Sequence, residues 1–298
     1  MKTAKIALVT GATGFVGSWL VKRLMREGFE VRALTSGTSR DRLAGIGADD
    51  IRWFEISAAV IAQATLGATH FFNFAVVYDR PEFSDAHIRE VNVELPLRII
   101  AALNPAADQV TCVLGDTFYR KFPVDATRQR RYTASKLELA HRVQDLPPSH
   151  PCRIGMLLIE QVYGPAENLE KAYPRVIRQL LQNVARVRLT PCDQRRDFLH
   201  IADVIEAVMA TSSGEWHGVA AVECGSGRST PVRTVFERLK AFSGSHSELG
   251  FGDIPYDQDI PDSVADISWL GARGWASSVP LEKGLEELVL DVKQRSTS

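Results

Sequence analysis

The sequence predicts an α/β fold, a doubly wound parallel sheet with a smaller C-terminal α/β domain. Three observations carry that expectation. Ile6 to Val9 is a short apolar run of the kind a strand buried on both faces shows. Gly11, Gly14 and Gly17 follow at G-x-x-G-x-x-G spacing, and Phe15 to Arg26 continues with helical periodicity. Strand and helix patterns then alternate through the first half of the chain, which implies parallel strands joined by crossover helices. Ligands of such a sheet lie beyond the carboxyl ends of its strands.

Each glycine has a task in a strand–turn–helix of this kind. Gly11 lets the chain turn sharply, Gly14 lets backbone approach a pyrophosphate, and Gly17 lets helix pack on strand. The phosphates rest on free N–H groups at the positive end of the helix. The stretch therefore reads as the dinucleotide-binding turn of a Rossmann sheet, with Gly11, Thr13, Gly14, Phe15, Val16 and Gly17 as cofactor contacts.

Helix one runs from Phe15 to Glu27 and stops at Gly28, and strand two spans Glu30 to Leu34. Dinucleotide sites that prefer NAD place an acid at the end of this strand. Here Thr35 and Ser36 stand there, with Arg40 close behind and no acid before Asp41. A hydroxyl and a guanidinium welcome a 2′-phosphate, so Ser36 and Arg40 point to NADP(H), with NAD(H) possible if Arg40 merely opens a solvated helix. Ile51 to Ile56 is strand three, with Glu55 and Ile56 placed for an adenine. His70 to Val76 is apolar enough for a central strand. Its end, Phe74, Ala75 and Val76, faces the crevice of the glycine turn, and Tyr78 beyond it is a candidate substrate contact. Ser84 to Leu103 reads as a long helix bent at Pro96 and carrying Asn92, a further cofactor candidate. Gln109 to Leu114 is the next central strand.

Composition narrows the classes. The 298 residues are 45% hydrophobic and 24% charged with a net charge of −1, which favours neither nucleic acid nor a membrane surface. No run approaches the length of a membrane span. Cys112, Cys152, Cys192 and Cys224 form no C-x-x-C pair and read as buried free thiols of a reducing compartment. Strand one begins close behind Met1, so a cytoplasmic location without a signal peptide is expected.

The second constellation is Tyr132-Thr-Ala-Ser135-Lys136, at the start of a helix reaching about Leu146. A Y-x-x-x-K pair sets both side chains on one helix face, one turn apart. An adjacent ammonium stabilises a phenolate, which makes the tyrosine a proton donor suited to a carbonyl receiving hydride.

Together, Gly11-Ala-Thr-Gly14-Phe-Val-Gly17, Tyr132-x-x-x-Lys136, Tyr163-Gly164-Pro165 and Arg196-Asp197-Phe198-x-His200 resemble the extended short-chain dehydrogenase/reductases that act on nucleotide sugars. The closing Asp266-Ile267-Ser268, Leu270-Gly271 and Gly274-Trp275 are similar to that family as well, so the resemblance covers nearly the whole chain. Asp116 to Lys121 and Glu160 to Pro165 look most like its CDP-abequose and CDP-paratose synthase branch, which are 4-ketoreductases. The resemblance implies an NADPH-dependent ketone reduction. Tyr132 would be the proton donor, Lys136 its tuner and ribose holder, and Asp116, Gln161 and Arg196 substrate residues. It also leaves open an NAD-dependent 4-epimerase on the same residues and a non-catalytic nucleotide-binding sensor. A homodimer through the Ser84–Leu103 and Tyr132–Leu146 helices is expected, because both carry apolar residues on more than one face.

One position departs from the family. Where it places a Ser or Thr, four residues before Tyr119, this chain has Gly115. Thr117 lies two residues on, and alternate strand residues share a face, so Thr117 can supply the missing hydroxyl. The alternatives are an impaired site or a different sugar.

The remainder of the chain, domain 160–298 beside a cofactor domain of 1–159 to which 194–215 returns, should hold the nucleotide diphosphate. Lys171, Arg175, Arg178, Arg186, Arg188, Arg195 and Arg196 face the single acid Asp193 in one stretch, a local field that phosphate would need. Without aromatic interleaving it is no nucleic-acid surface. His200 and Asp203 read as structural ties. Asp253, Asp257, Asp259, Asp262 and Asp266 match no calcium loop and read as a solvated segment without a metal.

Overall fold

The computed structural model describes residues 5–37, 40–43, 50–103, 110–147, 150–255 and 262–297. Gln109, Asp257 and Asp259 lie outside them. The chain forms two compact units, Met1–Leu158 with Ile205–Val222, and Ile159–Val204 with Glu223–Ser298.

In the first unit the elements run β1 (Ile6–Thr10), α1 (Phe15–Arg26), β2 (Glu30–Thr35), β3 (Arg52–Glu55), α2 (Ala58–Thr65) and β4 (His70–Asn73). Then come α3 (Asp85–Arg89), α4 (Leu95–Ala102), β5 (Val110–Thr117), α5 (Arg130–Gln144) and β6 (Cys152–Ile159). The sheet has seven strands in the order β10-β6-β5-β4-β1-β2-β3, with β10 at Val219–Cys224. The pairs β3–β2, β2–β1, β1–β4 and β4–β5 all run parallel. Burial explains the apolar runs. Leu8, Leu34, Phe71, Cys112 and Leu114 enter one core with Ile61 of α2, Ile99 and Ile100 of α4, and Leu139 and Val143 of α5. Ala7, Val9, Ala33, Phe72 and Val113, pointing the other way, are also fully buried, so both faces of the sheet are covered. The chain builds outward from β1 to β3 and then crosses back to β4. That leaves the crevice between the ends of β1 and β4 as the switch point where ligands bind.

The long helix expected over Ser84–Leu103 is interrupted. Glu90–Glu94 forms a π turn between α3 and α4, and Pro96 sits in the first turn of α4. A proline inside a helix lacks its N–H and crowds the carbonyl four residues back, and the wider turn relieves both problems. The apolar residues of α4 and α5 are turned into the core. The outward positions carry ion pairs instead, Arg89 with Glu94 and Glu138, Arg142 with Glu94, and Arg98 with Glu90. The surplus apolar face expected of these helices is thus interior.

The second unit holds β7 (Gln161–Tyr163), α6 (Ala172–Leu181), β8 (Arg186–Leu189) and β9 (Arg195–His200). It continues with the start of α7 (Ile201–Ser212), then β11 (Ser229–Pro231), α8 (Val232–Ser243), β12 (Glu248–Phe251), α9 (Ser268–Gly271) and α10 (Leu281–Thr297). β11-β9-β7 form one small sheet and β12-β8 another, and Tyr173, Ile177, Val235, Leu239, Leu285 and Leu288 share its core. The segment returning to the first unit is Ile205–Val222 rather than 194–215, because β9 is spent in the second unit's own sheet.

The glycine turn is the most tightly built part of the first unit. Gly11 has φ +70°, and a Cβ there would meet the Phe74 carbonyl carbon at 2.4 Å. A Cβ on Gly17 would lie 2.0 Å from the Gly11 carbonyl oxygen, so the helix packs on the turn itself as well as on the strand. Gly17→Ala should reverse the usual helix preference for alanine and destabilise by roughly 2 kcal/mol, a fall in Tm of about 4–8 °C. Calorimetry on the pure variant checks it, and an unchanged or raised Tm would show that the turn yields.

Candidate active site

The end of β1 is prepared for a phosphate. Gly14 begins α1 with no side-chain cap and no acid in the first turn, which leaves N–H groups and positive dipole facing outward. Side chains are missing where Gly11, Gly14 and Gly17 close around the turn, and the Gly14 N–H donates to Gly11 O at 2.9 Å. Thr10 Oγ1 donates to Asn73 Oδ1 at 2.6 Å, and the Phe74 N–H donates to Thr10 O, so the ends of β1 and β4 are locked side by side. This is a cradle that fits a dinucleotide, with Phe74, Ala75 and Val76 as its second wall.

At the end of β2, Ser36 is exposed and Thr35 Oγ1 is turned onto Gly37. The Arg40 guanidinium stacks 4.1 Å over the Trp53 ring of β3, which holds an otherwise flexible side chain flat. Arg42, which no motif marks, reaches back to donate to Thr13 O at 3.2 Å. Its only trace in the sequence is a second arginine two residues after Arg40. Glu55 is exposed, whereas Ile56 packs against the first unit's core, so only its backbone is left for an adenine.

The candidate reacting groups come from β5 and α5. Tyr132 and Lys136 lie one turn apart on α5 and are 6% and 2% exposed, so burial disfavours the charged form of each. Lys136 Nζ donates to Gly115 O at 2.7 Å and stands 5.8 Å from the centre of the Tyr132 ring. Burial pushes the Tyr132 phenol well above its ordinary range. Tyr78, Asp116 and Tyr119 add to the rise, and a hydrogen bond with Thr117 opposes it. Burial also pulls the Lys136 ammonium down, opposed by Asp116 and reinforced by Arg120. On balance burial outweighs the groups that would lower Tyr132.

Gly115 has a plain steric cause. A Cβ there would sit 2.8 Å from Phe74 Cδ1 and 3.2 Å from Asn73 O, so the Phe74 ring occupies the space a serine would need. Thr117 lies on the same strand, buried, and accepts from the Tyr119 N–H at 3.3 Å. Asp116 is not open to a substrate as expected. Its side chain has no exposure, pairs with Arg120 and accepts from the Thr117 N–H at 2.8 Å.

Asn92 serves the scaffold rather than a cofactor. It accepts from the Val77 N–H and donates to Val77 O and to Ser135 Oγ, all within 2.9–3.0 Å, which ties the loop after β4 to α5. Arg131 completes that tie, and no pattern in the sequence marks it. It donates to Asp79 Oδ1 at 2.7 Å, Phe83 O at 2.8 Å, Arg80 O at 2.9 Å and Asp85 Oδ1 at 3.0 Å. Tyr78, on that loop, lies with its ring centre 5.1 Å from that of Tyr132.

In the second unit, Gln161 opens β7 opposite Phe198 of β9, and Arg196 is buried with Nη1 donating to Arg195 O. The cationic stretch is largely spent internally. Arg178 pairs with Glu170, Arg186 with Asp253 and Glu248, and Arg195 donates to Ser229. Asp253 is accordingly an ion-pair partner and Asp262 accepts from the Arg195 N–H, so neither is merely solvated. Asp203 accepts from Ser278 and Val279, a structural tie as expected. All four cysteines are buried free thiols, and no group suited to a metal occurs among the described residues. No helix among them is long and apolar enough to cross a membrane.

Known proteins resemble this chain over nearly its whole length. A CDP-abequose synthase of Salmonella muenchen is 30% identical over 290 residues, covering 96% of this chain and 97% of that one. One from Salmonella typhimurium is 27% identical over 298 residues, covering 95% and 96%. Among solved structures, the UDP-glucuronic acid 4-epimerase of Bacillus cereus, in complex with UDP-glucuronic acid and NAD, superposes with a TM-score of 0.83 at 18% identity over 97% of this chain and 99% of that one. The UDP-glucose 4-epimerase of Thermotoga maritima, with UDP-glucose, gives 0.82 at 19% over 98% and 99%. The profile of the NAD dependent epimerase/dehydratase family matches residues 7–215, and the chain belongs to that family.

Proposed function

We propose that the protein is an NADPH-dependent reductase of the 4-keto group of a nucleotide-linked deoxyhexose. The observation that carries the reading is the burial of Tyr132, Lys136 and Thr117 at the end of β5 and the start of α5, with Lys136 Nζ donating to Gly115 O at 2.7 Å. The two full-length relatives named as CDP-abequose synthases support the sugar chemistry. A bound reduced nicotinamide supplies the hydride. Tyr132 then gives its phenolic proton to the oxygen of the ketone, and burial keeps that proton in place until the oxygen becomes basic. Thr117 donates to the same oxygen as it gains negative charge. Lys136 holds the nicotinamide ribose, Arg40 and Ser36 read the 2′-phosphate, and Gln161 and Arg196 serve the nucleotide sugar. The family also contains 4-epimerases, which would use the same tyrosine with retained NAD. Net consumption of NADPH by a nucleotide-linked 4-keto sugar separates the two.

If Thr117 supplies the hydroxyl that Gly115 lacks, Thr117→Val should lower kcat by roughly 30- to 1,000-fold, about 2–4 kcal/mol of lost transition-state stabilisation, without weakening NADPH binding. Tyr132→Phe should do at least as much damage, and the double variant little more, because both hydroxyls act on one oxygen. Near-normal turnover in Thr117→Val would reduce that residue to packing.

Cofactor choice has its own test. Arg40→Ala should weaken NADPH roughly tenfold, about 1–2 kcal/mol, while NADH binding holds. Equal losses for both cofactors by calorimetric titration would remove Arg40 from phosphate recognition.

We also take the enzyme as a cytoplasmic homodimer through α4 and α5. With ion pairs on their outer faces, such a contact would be polar and should weaken at high salt. A monomer mass in light scattering at micromolar protein and low salt contradicts it.

A further inference from the structure

Helix α5 carries Tyr132 in its first turn and lacks a cap of its own, because the Gln129 side chain at its N-cap makes no capping bond. The cap comes from 52 residues earlier in the chain, where Asp79 Oδ2 on the loop after β4 accepts from the Arg131 N–H at 3.0 Å. Gln129 answers in the opposite direction, its Oε1 accepting from the Asp79 N–H at 2.9 Å. The Asp79 carboxylate also takes Arg131 Nε through Oδ1 at 2.7 Å. The rest of the guanidinium donates to Phe83 O, Arg80 O and Asp85 Oδ1. Tyr78 is thereby fixed from both sides, with Val77 held by Asn92 before it and Asp79 held by α5 after it. Its ring lies 5.1 Å from that of Tyr132, tilted by 46°. We propose that Asp79 and Arg131 are positioning residues for Tyr132, which lock the loop bearing Tyr78 to the first turn of α5 as one rigid wall of the site.

The physical case is one of coupling. The first N–H groups of a helix have no partner within it, and a carboxylate there satisfies one of them and meets the positive end of the dipole. A cap from an adjacent residue would leave the helix start independent of the loop. Here the cap arrives from the loop, so the loop cannot lift without uncapping α5 at the residue next to Tyr132. Arg131 makes the tie reciprocal, because one planar fork reaches acceptors on residues 79, 80, 83 and 85 at once. A lysine offers a point charge that cannot span them. Of the two carboxylates, Asp79 is the working partner, since its side chain is 18% exposed and that of Asp85 is 85% exposed. Neither Asp79 nor Arg131 need touch substrate or cofactor.

The inference rests on the reading of Tyr132 as proton donor but needs no particular substrate, so its first test is spectroscopic. All six tyrosines of the full-length protein are replaced by 3-fluorotyrosine, and the fluorine resonance of Tyr132 is assigned by its loss in Tyr132→Phe. Asp79→Ala and Arg131→Ala should each shift or broaden that resonance. The pair together should do little more than either alone, because they break one clamp. Asp79→Asn, which keeps an acceptor for the Arg131 N–H, should restore much of the native signal. In an NADPH assay with a nucleotide-linked 4-keto sugar, the two alanine variants should lower kcat by about 10- to 100-fold while the KM for NADPH holds. A fall in Tm with the Tyr132 resonance unmoved makes the clamp merely structural and overturns the proposal. So does a native Tyr132 resonance indifferent to Tyr78→Leu, a result that stands even if the clamp variants fail to fold. Should the resonance move with Asp79 and Arg131 while no 4-keto sugar consumes NADPH, the reductase reading falls and this inference survives. NADPH turnover with a resonance indifferent to both residues overturns this inference and leaves the reductase reading in place.

Discussion

A lysine ammonium 2% exposed, on a helix packed against the central sheet, is the constraint on which the site depends. An isolated charge in that position would cost several kcal/mol and would shed its proton instead. At Lys136 the Gly115 carbonyl on one side and the Asp116 charge on the other oppose this, although burial still pulls the ammonium down on balance. Both come from the carboxyl end of β5, so α5 can lie only where that strand end meets it. Once α5 is fixed there, Tyr132 is carried beneath Tyr78 and against Thr117. The geometry of the reacting groups thus follows from the need to neutralise one buried cation.

The rigidity around the dyad comes from backbone satisfied at a distance. The loop after β4 leaves its apolar side chains only half-buried, and Asn92 and Arg131 hold it through Val77, Arg80 and Phe83 backbone and the Asp79 carboxylate. Asn92 reaches Val77 from within the π turn that precedes Pro96. A helix irregularity caused by a proline therefore coincides with the residue that aims the substrate-side loop.

Much of this is legible in the residues, and the gaps have physical reasons. The apolar runs of β1 and β4 and the glycine spacing announce a sheet covered on both faces, because a strand buried twice must be apolar throughout. Tyr132 and Lys136 are visible because their spacing is the helix's own. Asp116 misleads because a carboxylate beside a site is usually there for the substrate, and nothing in the local pattern says that Arg120, one turn on, has already claimed it. Arg42 and Arg131 give no signal because their partners, Thr13 and residues 79–85, are distant in sequence. The arginines of 171–196 look like a phosphate field for the same reason, since Glu170, Glu248 and Asp253 neutralise them only after folding.

The steric crowding at Gly115 explains why a hydroxyl side chain is missing from that position. A hydroxyl on residue 115 and an aromatic ring on residue 74 compete for the same few cubic ångströms, as the 2.8 Å approach of a Cβ to Phe74 shows. The chain has taken the ring, which also walls the crevice beside the glycine turn. The hydroxyl is then available two residues on, where the strand returns to the same face and Thr117 can bond to Tyr132. Such a move shifts the donor along the strand by about 7 Å of backbone, two residues of strand rise. The side chain recovers part of that distance only if the carbonyl it serves sits correspondingly nearer the tip of β5. On the proposed reductase reading, the pairing of Phe74 with Gly115 bears on substrate shape: it would favour a sugar whose ketone is presented closer to the tip of β5 than a serine at 115 would require.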